Sequence, residues 1–153
     1  EEKNETVSRS SLAYTLTSIA LFDAFISCWD EKFKTNLIRP ITVINDHIDK
    51  NWQPYIQTPP FPEFTSGHSV TSNAAATVLT ALFGDNYKFT DKTEIPFGND
   101  IRRFNSFYEA AYESSMSRVY GGIHYAETAR ISVIQGKEIG AHVLKTLYPA
   151  AIK

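Results

Sequence analysis

Helical periodicity, interrupted by proline- and glycine-rich breaks, dominates the pattern of apolar and polar residues along this chain. Between Ser10 and about Lys34, apolar residues recur at spacings of three and four, namely Leu12, Leu16, Ile19, Phe22, Phe25 and Ile26. That spacing is typical of one face of an α-helix. We therefore predict an amphipathic first helix with one buried face, and we expect Asp23, which lies within it, at the surface.

Four further helices are predicted from start and stop signals. They cover residues 40–46, 69 to about 84, 106 to 117 or 120, and 126–147. Pro40 favours the first position of a helix, and Ser106 with Glu109 three residues later fits a capping box. In the last helix Gly136 and Gly140 stand four residues apart, which predicts a close contact with a neighbouring helix.

Two stretches are predicted to lie outside the helices. Asn51–Thr65 contains four prolines and must be irregular, because proline lacks a backbone donor and cannot continue a helix. Asp85–Asp100 carries Pro96 and Gly98 and is predicted to form a second loop or a hairpin. The resulting expectation is a single all-α helical bundle over residues 1–153.

Composition excludes several classes of function. The chain has 153 residues and a formal net charge of −2, so no basic field favours nucleic acid. Cys28 is the single cysteine, which excludes an internal disulfide and predicts buried packing. No uninterrupted run of about eighteen apolar residues occurs, so no membrane span is predicted. The abrupt acidic start at Glu1 predicts that the chain is part of a longer polypeptide.

The segment Ser66-Gly67-His68 places a hydroxyl, a bare backbone and an imidazole at the predicted start of a helix. The unpaired N–H groups and the positive end of the helix dipole receive an anion readily there. Gly67 lets an anion approach the backbone, and His68 can exchange a proton with it near neutral pH. On its own, such a segment is more often a helix cap than a binding site.

Two remote clusters strengthen the case for an anion site. Lys32 and Arg39 lie seven residues apart, and Arg118 precedes His124 across Gly121-Gly122, a natural helix stop. Taken singly, the cations could be solvated and His124 could be a structural histidine. Their coincidence with predicted helix ends favours one shared site.

These segments resemble a known family. Lys32-x6-Arg39-Pro40, Ser66-Gly67-His68 and Ser117-Arg118-x5-His124 are similar to the three-part signature of vanadium-dependent haloperoxidases and the type 2 phosphatidic acid phosphatase superfamily. The match runs from about Trp29 to Ala129, and the stretches at 29–32 and 58–62 resemble the haloperoxidase branch. The resemblance implies a helical bundle of the vanadium haloperoxidase/acid phosphatase type. It also implies that this chain is the C-terminal portion of a polypeptide whose N-terminal part supplies further helices.

The resemblance implies a pocket for a tetrahedral oxyanion. Lys32, Arg39 and Arg118 would neutralise the oxygens of a bound vanadate or phosphate, and Ser66 and the Gly67 amide would donate hydrogen bonds to the same oxygens. Arginine suits this task because its planar fork pairs with two oxygens, whereas lysine acts as a point charge.

The resemblance also implies two histidine roles and a halide pocket. His124 would bind vanadium through a ring nitrogen, or attack phosphorus as the nucleophile of a phosphatase. His68 would be the acid–base partner on the opposite side. Trp29 and Phe61 match positions that line the halide pocket. Vanadate is the implied cofactor, and phosphate can occupy the same site.

The chain departs from the family pattern at two positions. Thr65 replaces a proline, which is expected to matter little because threonine can cap a helix. Thr128 replaces an aspartate that orients the imidazole of His124 and fixes its tautomer. Either Thr128 or the neighbouring Glu127 is expected to substitute for that carboxylate, though weakly. If Thr128 replaces the orienting aspartate, Thr128→Asp is expected to raise the affinity for vanadate or the turnover. An unchanged or lower value would mean that another group, such as Glu127, already holds the ring.

The leading prediction is therefore a vanadium-dependent haloperoxidase-like enzyme that oxidises halide with hydrogen peroxide, with bromide or iodide favoured over chloride. A periplasmic or secreted location and a homo-oligomeric state are further expectations. One alternative is a soluble acid phosphatase that hydrolyses phosphate monoesters through a phosphohistidine. Another is a non-catalytic phosphate-binding homologue. His47 and His142 fall outside the signature and are predicted to be structural or solvated.

Overall fold

A computed structural model describes residues 5–151, and within them five α-helices surround a buried core. They are α1 (Val7–Thr35), α2 (Pro40–His47), α3 (Gly67–Phe83), α4 (Phe107–Tyr120) and α5 (Ala126–Leu147). Strands β1 (Phe89–Asp91) and β2 (Arg102–Phe104) pair antiparallel as one hairpin. Short 3-10 helices cover Ile95–Phe97 and Pro149–Ala151. The prediction of an all-α bundle is confirmed, with the hairpin as its one small sheet among the described residues.

Local signals account for most element boundaries. The helix α1 begins a few residues before the predicted start, because the side chain of Thr6 accepts a hydrogen bond from the Arg9 amide at 3.2 Å. The predicted capping box is present in α4, where the Ser106 hydroxyl accepts from the Glu109 amide at 3.0 Å. The stretch predicted as a loop or a hairpin contains β1, but β2 begins at Arg102, just beyond its end.

The central helix of the bundle is α3, which packs against α1, α4 and α5. Its inner residues are small, so neighbouring backbones approach closely. The buried core joins residues of α1, α3 and α5, namely Leu16, Ala20, Ala24, Cys28, Val70, Ala74, Val78, Val143 and Leu144. Cys28 is buried as predicted.

The predicted close contact at Gly136 and Gly140 is confirmed. A Cβ atom at Gly136 would lie 2.3 Å from the carbonyl oxygen of Val70, and one at Gly140 would lie 2.7 Å from that of Ala74. Both obstacles are backbone atoms of α3, which cannot move without displacing the helix. These two glycines therefore set the spacing between α3 and α5.

Replacement of Gly136 by alanine is expected to lower the free energy of unfolding by about 1–3 kcal/mol, the usual cost of overpacking a core. Glu138→Ala, on the exposed face of the same helix, is the matched control and should change stability little. Urea unfolding of the two variants checks this expectation. Equal stability of the two variants would contradict the contact between α3 and α5.

The outer face of α1 is unusually apolar. Phe22, Ile26 and Phe33 expose 67%, 52% and 59% of their surface. By length and hydropathy the segment Val7–His47 could cross a membrane, and 22% of its most apolar window is buried. A single segment of this kind is weak evidence for a span, and the inner face of α1 lies in the core of this bundle. The test therefore demonstrates no membrane span. Asp23 is exposed on α1, as predicted.

Candidate active site

Buried hydroxyl groups surround the N-terminus of α3. The N-cap of this helix is Ser66, not Thr65. Ser66 is fully buried, its amide donates to the Ser132 hydroxyl at 2.8 Å, and its Oγ accepts from the Ser69 hydroxyl at 2.9 Å. The expectation that the Thr65 side chain caps the helix is wrong, since its Oγ1 is buried with no hydrogen-bond partner among the described residues. The helix start is instead held by a chain of serines.

The ring of His124 is fixed through both nitrogens. Its Nδ1 lies 2.7 Å from Oε1 of Glu63, and its Nε2 lies 3.2 Å from Nη1 of Arg39. Because a guanidinium only donates, Nε2 must be the acceptor, and the ring proton then lies on Nδ1 and is donated to Glu63. Burial lowers the pKa of His124, as do Arg39 and Lys32, although Glu63 opposes them. The neutral Nδ1–H tautomer leaves the Nε2 lone pair available as a ligand or nucleophile.

Arg39 ties the proline-rich loop to the segment before α5. Its side chain is 6% exposed. Its guanidinium donates to the carbonyl oxygens of Ile123 at 2.7 Å, Phe61 at 3.1 Å and Pro62 at 3.3 Å. Burial lowers the pKa of Arg39 from its ordinary value, but arginine remains charged in proteins. A permanent positive charge is therefore built in beside Nε2 of His124.

Lys32 is a second buried cation. It is fully buried, and its Nζ donates to the carbonyl oxygens of Pro62 at 2.9 Å and Glu63 at 3.0 Å. Burial lowers the pKa of Lys32 to about 8. Its Nζ also lies 5.7 Å from the ring centre of Trp29 and 5.2 Å from that of Phe61. These cation–π contacts compensate in part for lost hydration.

The carboxylate beside His124 belongs to Glu63, which the sequence analysis did not single out. Glu63 is fully buried, and besides His124 it accepts from the Tyr125 amide at 3.0 Å and the Thr128 hydroxyl at 2.8 Å. Burial alone raises the pKa of Glu63, but the hydrogen bonds from His124, Thr128 and Tyr125 hold it below its usual value. The one feature of the sequence that could have indicated a buried role for Glu63 is its position as an acidic residue within the apolar run Phe61-Pro62-Glu63-Phe64.

Neither residue predicted to orient the ring of His124 makes a hydrogen bond to it. Glu127 is exposed and pairs with Arg130, at 2.6 Å, because its side chain points out from the first turn of α5. It does not reach the ring. Thr128 is buried, but its hydroxyl donates to Glu63 and does not contact the imidazole. Thr128 thus acts on His124 only through the Glu63 carboxylate.

A cavity of about 450 Å³ opens in front of His124. Its walls include Gly67, His68, Arg118, Trp29 and Phe61. Trp29 stacks on Phe25 with ring centres 3.9 Å apart and meets Phe61 at 5.3 Å, so one wall is aromatic. Six of the predicted site residues therefore line one cavity, namely Trp29, Phe61, Gly67, His68, Arg118 and His124. A seventh, Arg39, contacts the ring of His124. Lys32 and Ser66 are fully buried and do not line the cavity.

The wall of the cavity also carries His68 and Arg118. Desolvation lowers the pKa of His68, and the nearby Arg118 and His124 lower it further, so the ring is neutral at pH 7. The Nε of Arg118 donates to the Ser117 hydroxyl at 3.0 Å. His68 and Arg118 also line a second, polar cleft of about 710 Å³ beneath the β-hairpin. The hairpin loop, for which no chemical role was predicted, therefore borders the site.

The donor set matches an oxyanion. Among residues 5–151, none of the ion pairs with a carboxylate involves Lys32, Arg39 or Arg118, and Glu63 is the one buried carboxylate. Positive charge therefore exceeds negative charge around the cavity. The described residues contain no group of three or more His, Cys, Asp or Glu side chains placed to hold a metal ion.

The sequence profile of the VCPO second helical-bundle domain matches residues 12–149. This chain belongs to the vanadium haloperoxidase superfamily. The crystal structure of the first bacterial vanadium-dependent iodoperoxidase is similar: its chain is 56% identical, with a TM-score of 0.92 over 95% of this chain and 35% of that one. Against the curated proteins, the chain gives no match.

More distant members of the superfamily share the fold. A holo-type bacterial vanadium-dependent chloroperoxidase is 17% identical, with a TM-score of 0.74 over 90% of this chain and 36% of that one. The apo-type chloroperoxidase gives 17% identity and a TM-score of 0.73 over 90% and 37%. The chain thus spans about a third of the length of these relatives. That it is one part of a longer polypeptide stays a prediction.

Proposed function

We propose that this chain carries the vanadate-binding site of a haloperoxidase that oxidises halide with hydrogen peroxide. The observation that carries the proposal is the state of His124, a neutral ring held at Nδ1 by Glu63 with its Nε2 lone pair beside Arg39. A lone pair and buried cations are what a tetrahedral oxyanion with a metal centre requires. When bound, vanadate supplies a Lewis-acidic centre that activates peroxide.

The other residues have roles that follow from where they lie. Arg118 faces the cavity and would contact the oxyanion directly, together with the amide of Gly67. Lys32 is bonded to loop carbonyls, so it would act by its charge through the loop. Ser66 would support the helix start, since Ser132 and Ser69 hold its amide and hydroxyl. Its hydrogen bond to the oxyanion stays a prediction.

His68 and the aromatic wall would handle the substrates. His68 opens to the cavity and is neutral at pH 7 because its pKa is lowered, so it can accept a proton from hydrogen peroxide. Trp29 and Phe61 would form a weakly hydrated pocket, which favours a large polarisable halide. We propose iodide as the halide oxidised most readily, in keeping with the 56% identity to an iodoperoxidase. Periplasmic or secreted location and homo-oligomerisation stay predictions.

The test is peroxide-dependent halogenation by the complete polypeptide that carries this chain, with and without added orthovanadate. The proposal expects activity that requires vanadate and is faster with iodide than with bromide or chloride. Hydrolysis of p-nitrophenyl phosphate that vanadate inhibits, without halogenation, would identify a phosphatase with His124 as nucleophile instead. Inactivity in both assays with retained phosphate affinity would identify a non-catalytic binding protein.

The lowered pKa of Lys32 leads to a pH-dependent affinity for oxyanions. Below about pH 8 Lys32 is charged. A bound anion would raise its pKa above this lowered value, so affinity should fall as the pH rises above about 8. By linkage the limit is about tenfold per pH unit. His68 and His124 are already neutral there, because their pKa values are lowered.

Sulfate is the suitable probe for this dependence because its own charge is constant over this range. Titration calorimetry from pH 7 to pH 10 should show the decline for the natural protein. Lys32→Met should bind sulfate more weakly at pH 7 and show a flat profile above it. A flat profile for the natural protein would mean that Lys32 does not contribute charge to the site.

A further inference from the structure

Glu63 is a buried acidic residue that lies outside the three-part motif of the sequence. It is the one fully buried acidic side chain in the described part of the chain. Its backbone is held as firmly as its side chain, since its amide donates to the Leu37 carbonyl at 2.9 Å and its carbonyl accepts from Lys32 at 3.0 Å. Residues from three separate segments therefore fix the position of one carboxylate.

We infer that Glu63 is the residue that positions His124 for oxyanion binding, a task for which the family pattern has an aspartate where Thr128 now stands. The inference rests on the proposed function for its biological meaning. The carboxylate comes from the proline-rich loop, 61 positions before the histidine. At position 128 of α5 there is only a hydroxyl group, which donates to the second carboxylate oxygen of Glu63 at 2.8 Å.

The hydrogen-bond directions explain how Glu63 sets the ring. An ionised carboxylate only accepts, and the guanidinium of Arg39 on the other side only donates. Of the two neutral tautomers, only the one with its proton on Nδ1 satisfies both neighbours. Removing the charge of Glu63 removes the preference, because a side-chain amide can present either a donor or an acceptor to Nδ1.

The same carboxylate has a second, structural role that must be separated from the first. The N-cap of α5 is Tyr125, which makes no side-chain cap, and Glu63 accepts from its amide at 3.0 Å. A negative charge at this helix start also stabilises the dipole. Loss of stability alone would therefore not distinguish ring positioning from helix capping.

Three variants of the complete polypeptide separate the two roles: Glu63→Gln, Thr128→Asp and the double variant. Vanadate affinity is measured by titration, and the tautomer of His124 is measured from the ¹⁵N shifts of the ring. Glu63→Gln should lower vanadate affinity by ~10–100-fold and give a mixture of tautomers. Thr128→Asp alone should also lower it, because two carboxylates then meet in one buried site.

The double variant should recover part of the affinity, since it returns one carboxylate to the site from α5. If Glu63 acted only as a cap of α5, the double variant would not recover vanadate affinity together with the Nδ1–H tautomer of His124. Glu127→Gln, at the exposed neighbouring position, is the matched control and should leave both readouts unchanged. If the natural protein fails to bind vanadate, the proposed function fails, while the ring tautomer still tests Glu63.

Two results would overturn the inference. One is a natural protein whose His124 carries its proton on Nε2, which requires no variant to measure. The other is Glu63→Gln with natural vanadate affinity and an unchanged tautomer.

Discussion

Replacing His124 by asparagine is expected to reduce vanadate-dependent halogenation to background while the protein stays folded. The amide nitrogen of asparagine can take the place of Nδ1 and donate to Glu63, but nothing then replaces Nε2 beside Arg39. The loss should exceed the ~10–100-fold that follows removal of an outer-shell partner. Halogenation rates and the thermal midpoint of the variant check the two parts of this expectation.

His124→Ala is a less informative variant because it leaves Glu63 buried without its main partner. Removing one member of a buried charged pair costs about 3–5 kcal/mol, so lost activity could reflect unfolding. His142→Ala, at an exposed position of α5, serves as the control and should keep full activity. A folded asparagine variant that still halogenates with vanadate would refute a ligand role for His124.

Replacing Arg39 by methionine is expected to destabilise the protein by about 3–5 kcal/mol and to remove oxyanion binding. The guanidinium joins the buried carbonyl oxygen of Ile123 and the half-buried ones of Phe61 and Pro62, and each would lose a donor. The charge of Glu63 would also lose a compensating cation. Urea unfolding without any anion measures the first effect, and vanadate titration measures the second.

A lysine at position 39 separates charge from geometry. Arg39→Lys should recover part of the stability but not the vanadate affinity, because an ammonium cannot reproduce the planar fork. Arg103→Met, which removes an exposed arginine of β2, is the control and should change neither quantity. Natural stability of Arg39→Met would mean that the guanidinium does not hold the loop to the segment before α5.

The helices were predictable because their signals are local. Pro40 begins α2, Ser106 with Glu109 begins α4, and Gly121-Gly122 follows the end of α4. The boundary of the hairpin was less predictable, since strand pairing between Phe89 and Phe104 depends on partners fifteen positions apart. The register of such a pair is set by side-chain packing across the sheet.

The candidate site was partly predictable for the same reason. Gly67 and His68 lie at the start of a helix and Arg39 just before one, so residue type and position relative to a helix end were enough to nominate them. The carboxylate of the site carried no such signal. Thr128 stands at the position of the family's aspartate and Glu127 is its neighbour, so the sequence indicates both, whereas Glu63 is near His124 only in space.

The amino-acid sequence alone determined the helical class of this protein, the boundaries of most of its helices and the family whose motif its cations and histidines match. These depend on periodicity, capping and short motifs, which act over a few residues. Only the tertiary structure decided which acid meets His124, which tautomer that ring adopts, and which cations are buried. Those properties arise where loops from distant segments exclude water together, so that each buried charge must find its partner across the fold.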